Sequence, residues 1–369
     1  MRIGIDARLL GTRQGGLGRY LEQLLTHLEK ILATEPNFEL VIFLRQENFN
    51  DYHPTNIRIK KVLANIKWYT WREQFFLSKI IKKEKIDLMH FPHWNIPLFY
   101  HNPFVVTIHD LLLLHYHTRT ASTLGPITYF IKNLAYKIVL RHAIKKSKQI
   151  ITPSEFTKND IAKIFNIPKE KITVTHLAPT KLYSDTSNKK MAKPYVLYVG
   201  VAYPHKNLPL LIDAWKIFCD KYGNDFQLVL AGKINYFYQQ LINKTKKEKI
   251  TNIIFTNYVS DKELAELYQH ASLYIFPSLY EGFGLPGLEA MQYNVPVLSS
   301  EYGSLPEVFG KAALYNNFKF PLNVAEIIHQ ALTDQNLRAQ LIGEGQKVIH
   351  SYSWDTTAQL TWEIYKKGV

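Results

Sequence analysis

Glu281 and Glu289 stand eight positions apart in Glu-Gly-Phe-Gly-Leu-Pro-Gly-Leu-Glu, two carboxylates bracketing a turn rich in glycine and proline. Carboxylates accept hydrogen bonds from hydroxyls, glycines let backbone approach a ligand closely, and the free N–H groups of a starting helix attract anions. The combination suits a molecule with hydroxyls on both sides of a phosphate, as in a sugar nucleotide. Either glutamate alone reads as well as a solvated residue beside a turn. Residues 273–278, Leu-Tyr-Ile-Phe-Pro-Ser, predict a short buried strand, so the turn falls at a carboxyl end, where open α/β sheets hold ligands.

Other candidates lie at similar places. Gly11-Thr-Arg-Gln-Gly-Gly-Leu-Gly follows a predicted first strand and precedes a helix, which makes either a phosphate cradle or a tight turn. It lacks the acidic partner of a dinucleotide fingerprint, because the second strand ends in Arg45. His109-Asp110 closes the run 104–109, although a lone His-Asp pair is more often structural than catalytic. Ser154 reads as a helix N-cap or a ligand contact, and Ser260 or Asp261 as a cap. Lys206, in Gly200-Val-Ala-Tyr-Pro-His-Lys-Asn, is a phosphate-binding cation or a solvated turn lysine.

These positions need strands and helices to hold them. Runs rich in Val, Ile and Phe at 1–7, 39–44, 57–62, 87–91, 104–109 and 149–154 alternate with helical patterns. A second series follows at 195–200, 227–232, 252–259, 273–278 and 295–300. Such alternation predicts parallel sheets with crossover helices, and two series predict two doubly wound α/β domains. Residues 178–194 are polar and aperiodic and read as a linker, which would leave a cleft between the domains. Residues 352–367 predict a last helix with Trp354, Leu360, Trp362 and Tyr365 as core contacts.

A length of 369 residues exceeds one ordinary core, and 46% hydrophobic content is that of a folded protein. The single cysteine, Cys219, falls in a helical pattern as a core residue and implies a reducing compartment. Asp6 interrupts the first apolar run, which argues against a secretory signal, and no apolar stretch reaches membrane length. The net charge of +14 is one-sided: residues 1–190 hold 29 Lys+Arg against 15 Asp+Glu, and residues 191–369 hold 16 against 16. Such a field attracts nucleic acid, an anionic membrane or a phosphorylated lipid. No recognition motif accompanies it, so nucleic acid is not expected. Residues 68–83 interleave Trp68, Trp71, Phe75 and Phe76 with Arg72, Lys79, Lys82 and Lys83, which fits either a core helix with a basic face or contact with anionic headgroups.

In chain order, the glycine loop, His109-Asp110, Pro-Ser-Glu-Phe-Thr-Lys at 153–158, Pro-His-Lys-Asn at 204–207 and the Glu281–Glu289 motif resemble retaining glycosyltransferases of family four. The resemblance spans essentially the whole chain. It implies the GT-B fold, in which two Rossmann-like doubly wound domains face a central cleft: an acceptor-binding domain over 1–180, a nucleotide-sugar-binding domain over 191–351, and a helix over 352–369 that packs back onto the first. It implies catalytic roles for His109, Glu281 and Lys206. Glu281 and His109 would meet the donor sugar, Glu289 the ribose, and Lys206 with Gly15 and Gly16 the diphosphate. Gly282, Phe283, Gly284 and Leu285 would line the donor, with the base near Val259. Asp110, Ser154 and His205 are secondary. Family members often carry an arginine after the glycine at position 200; here it is Val201, and His205 is expected to compensate.

Within the family the chain is similar to mannosyltransferases that use GDP-mannose for surface polysaccharides. UDP-glucose and UDP-N-acetylglucosamine are the alternative donors; a sugar-nucleotide epimerase or hydrolase, or a non-catalytic binder, is a reading of another class. No Asp-x-Asp sits where a metal site would need it, so no cofactor or divalent metal is expected beyond the nucleotide sugar as co-substrate. The expected acceptor is lipid-linked or a glycan. The expected location is cytoplasmic, peripheral on the inner face of the membrane.

Overall fold

The computed structural model describes residues 1–11, 15–116, 125–182, 191 and 193–368. Thr12, Arg13 and Gln14 of the glycine loop and most of the expected linker lie outside the described residues.

Seven strands form the first sheet: β1 (Arg2–Asp6), β2 (Glu39–Leu44), β3 (Ile59–Leu63), β4 (Leu88–Phe91), β5 (Phe104–Thr107), β6 (Gln149–Thr152) and β7 (Ile172–Val174). Their order is β3-β2-β1-β4-β5-β6-β7, with every pairing parallel. Six more form the second: β8 (Tyr195–Val199), β9 (Gln227–Ala231), β10 (Ile253–Asn257), β11 (Leu273–Phe276), β12 (Val297–Ser300) and β13 (Ala313–Asn316), in the order β10-β9-β8-β11-β12-β13. Central strands such as β4 and β11 are buried along their whole length, as doubly covered parallel strands are. In each sheet the winding direction reverses once, between β1 and β4 and between β8 and β11. A crevice opens at such a switch point beyond the strands' carboxyl ends, and ligands bind there.

The chain divides into two units: Met1–Leu111, Ser122–Leu177 and Ser353–Val369 make the first, and Leu112–Ala121 with Ala178–Tyr352 the second. In the first, the helix Gly16–Thr34 lays Tyr20, Leu21, Leu24, Leu25, Leu28 and Leu32 on one stripe against the sheet, the spacing of an amphipathic helix. The helix Trp354–Lys367 belongs to this unit. It buries Trp354, Ala358, Trp362 and Tyr365, and the Trp362 indole N–H donates to Glu35 at 3.1 Å. In the second unit Trp215 and Phe218 stack at 4.9 Å in the core. Cys219 packs half-buried against that core, and burial pushes its thiol up to about 11.

Two placements differ from the sequence reading. Residues 112–116 group with the second unit, because the Tyr116 hydroxyl donates to the Leu279 carbonyl at 3.2 Å and the His115 ring lies 5.0 Å from Tyr280. The aromatic and basic segment at 68–83 is helical from 71 to 83 with a π-helical turn, Glu73–Leu77, inside it; Trp71, Phe75 and Phe76 are exposed, but Trp68 is half-buried beneath Arg45 rather than facing outward.

Candidate active site

The switch point of the second sheet is built by the loops after β8 and β11. The first loop turns through Pro204–Lys206 into the helix Leu208–Tyr222, with Asn207 in the left-handed region at φ 57°. The second leads from β11 through Glu281 into the helix Leu285–Gln292, and the Leu279 N–H donates to the His205 carbonyl at 2.7 Å, tying the loops together. Across that tie Lys206 Nζ forms an ion pair with Glu281 Oε1. Both side chains keep about a sixth of their surface exposed, 16% and 15%.

Glu281 is held by its backbone. Its carbonyl accepts from the Ser304 N–H at 3.2 Å and the Ser304 hydroxyl at 3.0 Å. Gly303, at φ 69°, allows this approach, since a Cβ there would lie 2.7 Å from the Glu281 carbonyl oxygen. Gly284 caps the helix start at φ 111°, and a Cβ on it would meet Leu305 at 2.7 Å. Pro286 in the first turn has no N–H to leave unpaired, and no acidic side chain occupies that turn. Gly282 and Phe283 are buried, Phe283 5.4 Å from the Tyr352 ring; Leu285 is half-buried.

Glu289 behaves differently from Glu281. It lies on the buried face of its helix, 6% exposed, and accepts from the Tyr268 hydroxyl at 2.9 Å. Tyr274 on β11 sits near both carboxylates; burial first, then Glu289 and Glu281, pushes its phenol well up. His205 supplies no charge in place of the missing arginine: it is buried, and burial together with Lys206 holds it down to about 3. Val201 is exposed, and Val259 follows β10 half-buried in a loop that ends in the capping box of Ser260 and Glu263.

In the first unit, Gly15 caps the helix Gly16–Thr34 at φ 63° and ψ −140°, a conformation that favours glycine. No acidic residue sits in its first turn, and among the described residues nothing lies within 4 Å of a Cβ built on Gly15 or Gly16. His109 follows β5. Its Nε2 lies 3.2 Å from the Pro92 carbonyl, and the Tyr20 ring meets it edge-on at 4.8 Å. Burial pushes His109 down to about 4, so the ring is neutral at physiological pH and the proton on Nε2 points at Pro92. Asp110 is half-buried beside it. Ser154 is buried and caps the helix Glu155–Phe165, its hydroxyl accepting from the Thr157 N–H at 3.1 Å, while Thr157 in turn donates to the His109 carbonyl at 3.4 Å.

Thus Lys206 and Glu281 meet in one unit, and His109, Ser154 and the Gly15–Gly16 turn share the sheet of the other. Sequence reasoning missed Tyr268, Ser304 and Tyr20, which position candidates without resembling any motif; the Tyr-Gly-Ser turn at 302–304 was the one local signal for Ser304. No group of three or more His, Cys, Asp or Glu side chains able to hold a metal occurs among the described residues.

The family described as Glycosyltransferase Family 4 matches residues 14–178, and that described as Glycosyl transferases group 1 matches residues 180–348. The O-antigen chain mannosyltransferase RfbU of Salmonella typhimurium is 32% identical over 258 residues, 69% of this chain and 67% of that one. Sucrose-phosphate synthase from Thermosynechococcus elongatus shares the fold with a TM-score of 0.75 over 100% of this chain and 98% of that one, at 17% identity. The Anabaena protein Alr3699/HepE, solved in complex with UDP-glucose, does so with a TM-score of 0.73 over 100% of both chains, at 16% identity.

Proposed function

The chain belongs to glycosyltransferase family 4, with the GT-B fold, and from that premise we propose that it moves a hexose, mannose, from GDP-mannose to a lipid-linked or glycan acceptor in cell-surface polysaccharide synthesis, retaining the anomeric configuration. The observation that carries this reading is the Lys206–Glu281 pair at the second sheet's switch point, beside a helix start free of acidic residues. The similarity to a mannosyltransferase favours mannose.

In this reading Glu281 accepts hydrogen bonds from the sugar hydroxyls and Glu289, oriented by Tyr268, from the ribose. Lys206 turns from Glu281 to the diphosphate. With the start of the helix Leu285–Gln292 it stabilises the charge that develops as the sugar departs, without a divalent metal. Neutral His109 supports sugar hydroxyls, and the Gly15–Gly16 turn at the helix start an anionic phosphate. The acceptor oxygen attacks the anomeric carbon on the face from which the diphosphate leaves; the carbon–phosphate-oxygen bond breaks, and a departing phosphate oxygen takes the acceptor proton. A covalent sugar trapped on the enzyme would overturn this front-face route.

Membrane contact is part of the same proposal, on a different surface from the one the sequence suggested first. The helix Pro126–Lys146 contains no acidic residue and five Lys or Arg, and presents Ile127, Phe130, Ile131, Leu134 and Ile138 on one exposed face. An apolar stripe among cations suits an anionic bilayer. No described helix is long and apolar enough to cross a membrane.

The test is nucleotide release from GDP- and UDP-sugars, with and without bacterial lipid extract and with and without chelator, for the native chain and Glu281→Gln. Lipid-stimulated GDP release from GDP-mannose, unaffected by chelator and lost in the variant, is the expected result. Release from UDP-glucose instead would reassign the donor, and binding without release from any donor would mark a non-catalytic binder.

A further inference from the structure

The loop after β8 is tied down by two buried tyrosines. Tyr198 on β8 and Tyr238 on the helix Tyr236–Lys247 are fully buried, and both hydroxyls donate to the backbone of this loop. Tyr238 donates to the Gly200 carbonyl at 2.9 Å and Tyr198 to the Val201 carbonyl at 2.8 Å. Two glycines leave room for the arrangement: a Cβ on Gly232 would collide with the Gly200 carbonyl oxygen, and one on Gly200 would lie 2.9 Å from the Tyr198 hydroxyl. Burial holds both phenols well up, so each keeps the proton it donates. After burial, the nearby Tyr238, Tyr274 and Glu281 push the Tyr198 phenol further, which puts the pair beside the candidate site.

These bonds decide where the next two N–H groups face. In a trans peptide the N–H points opposite to the carbonyl before it, and no cis peptide occurs among the described residues. The Gly200 carbonyl points to the end of β9, where Gly232 follows, and the Gly200 N–H donates to the Ala231 carbonyl at 2.9 Å on the same side. β8 runs between β9 and β11, so the Val201 N–H faces the β11 side, where the crevice opens and Lys206 meets Glu281. The Ala202 N–H likewise turns away from the Tyr198 hydroxyl. Among the described residues neither N–H donates to an acceptor, although Ala202 is only 6% exposed. Buried N–H groups are nearly always paired, so two that are pinned free point to an acceptor from outside the chain.

Successive backbone N–H groups turned to one side attract an anion. A hydroxyl would satisfy one of them as well, but the Lys206 ammonium on the same loop favours a charged acceptor. Val201 brings the loop no charge, and neutral His205 adds none. We propose that Tyr198 and Tyr238 are positioning residues, and that the N–H groups of Val201 and Ala202 they aim hold a phosphate oxygen of the donor diphosphate next to Lys206. Dipoles fixed in this way need no rearrangement as charge develops on the departing phosphate, so they serve the reaction as well as binding. The proposal rests on the transferase reading, since it takes the donor diphosphate to lie at this switch point.

The experiment uses the full chain and measures the affinities of GDP and UDP, each beside its nucleoside, so that their ratio isolates the diphosphate. Tyr238→Phe and Tyr198→Phe keep the rings and lose the hydroxyls, and each should lower that ratio roughly tenfold while nucleoside affinity holds. An unchanged ratio, or equal loss of nucleoside and diphosphate affinity, marks the phenols as structural and overturns the proposal. Should the variants fail to fold, the native chain decides. With valine and alanine isotopically labelled for nuclear magnetic resonance, GDP or UDP should move the amide proton resonances of Val201 and Ala202 downfield, and its nucleoside should not. Amides that stay in place in the bound chain overturn it. If neither nucleotide binds the native chain, the transferase reading fails by itself, and inorganic pyrophosphate becomes the probe. Shifts at both amides then sustain the anion site, and none overturns it.

Discussion

Lys206 and Glu281 neutralise each other across the two loops that open the second sheet. A donor diphosphate and a donor hexose would separate the pair, each drawing one member. Glu281→Gln keeps the size and loses the charge, so nucleotide release should fall roughly 10²- to 10³-fold, the scale seen when one charge-stabilising group leaves an active site. Lys206→Met should weaken donor binding as well as release. Steady-state release assays on both variants check this, with circular dichroism confirming the fold; full activity in Glu281→Gln would remove the pair from the mechanism.

Gly284→Ala forces an L side chain into φ 111° and drives its Cβ to 2.7 Å from Leu305 and 3.0 Å from Phe309. A loss of about 1–3 kcal/mol is expected, measured as a shift in the urea midpoint. Among the described residues nothing lies within 4 Å of the Cβ position at Gly15, so Gly15→Ala meets backbone strain at φ 63° without such a clash and should cost less.

Ser154 separates two roles by experiment. As an N-cap, its replacement by alanine costs about 1 kcal/mol of stability and leaves the donor KM unchanged. A raised KM at unchanged stability would instead mark it as a donor contact.

Acid should unfold the first unit through its histidines. His90 and His93 are held down to about 3 and His109 to about 4, mainly by burial, against an ordinary value of 6.5. Because the folded values lie below the unfolded one, the unfolded chain binds more protons beneath pH 6.5. Stability is therefore full above pH 6.5 and falls as pH drops towards 4. Urea midpoints across that range should decline, and His90→Gln should flatten the slope whatever it does to the level.

Much of this was legible in the sequence for physical reasons. Glu281–Glu289 is a local motif whose glycines have local causes, and the central strands announce themselves as apolar runs. β7 and β13 were not found: they are edge strands of three and four residues, partly exposed, too short to show a period. The Arg8–Glu73 pair spans 65 positions and exists only once the sheet brings the segments after β1 and β3 together. Residues 112–116 form too short a helix for their sequence to say which core they join. The exposed stripe on the helix Pro126–Lys146 was visible as spacing, yet the same spacing would have served a buried face.

The helix Trp354–Lys367 closes the first unit although the whole of Ala178–Tyr352 precedes it. On a ribosome, then, the first unit emerges early and stays unfinished, with the positions that will receive Trp354, Ala358 and Trp362 open to water and Nδ1 of His90 lacking the Tyr365 hydroxyl it meets at 2.6 Å. Its maturation waits on a later-made neighbour, so the first half of the chain expressed alone should depend on chaperones, and supplying the last helix as a separate peptide should relieve that dependence.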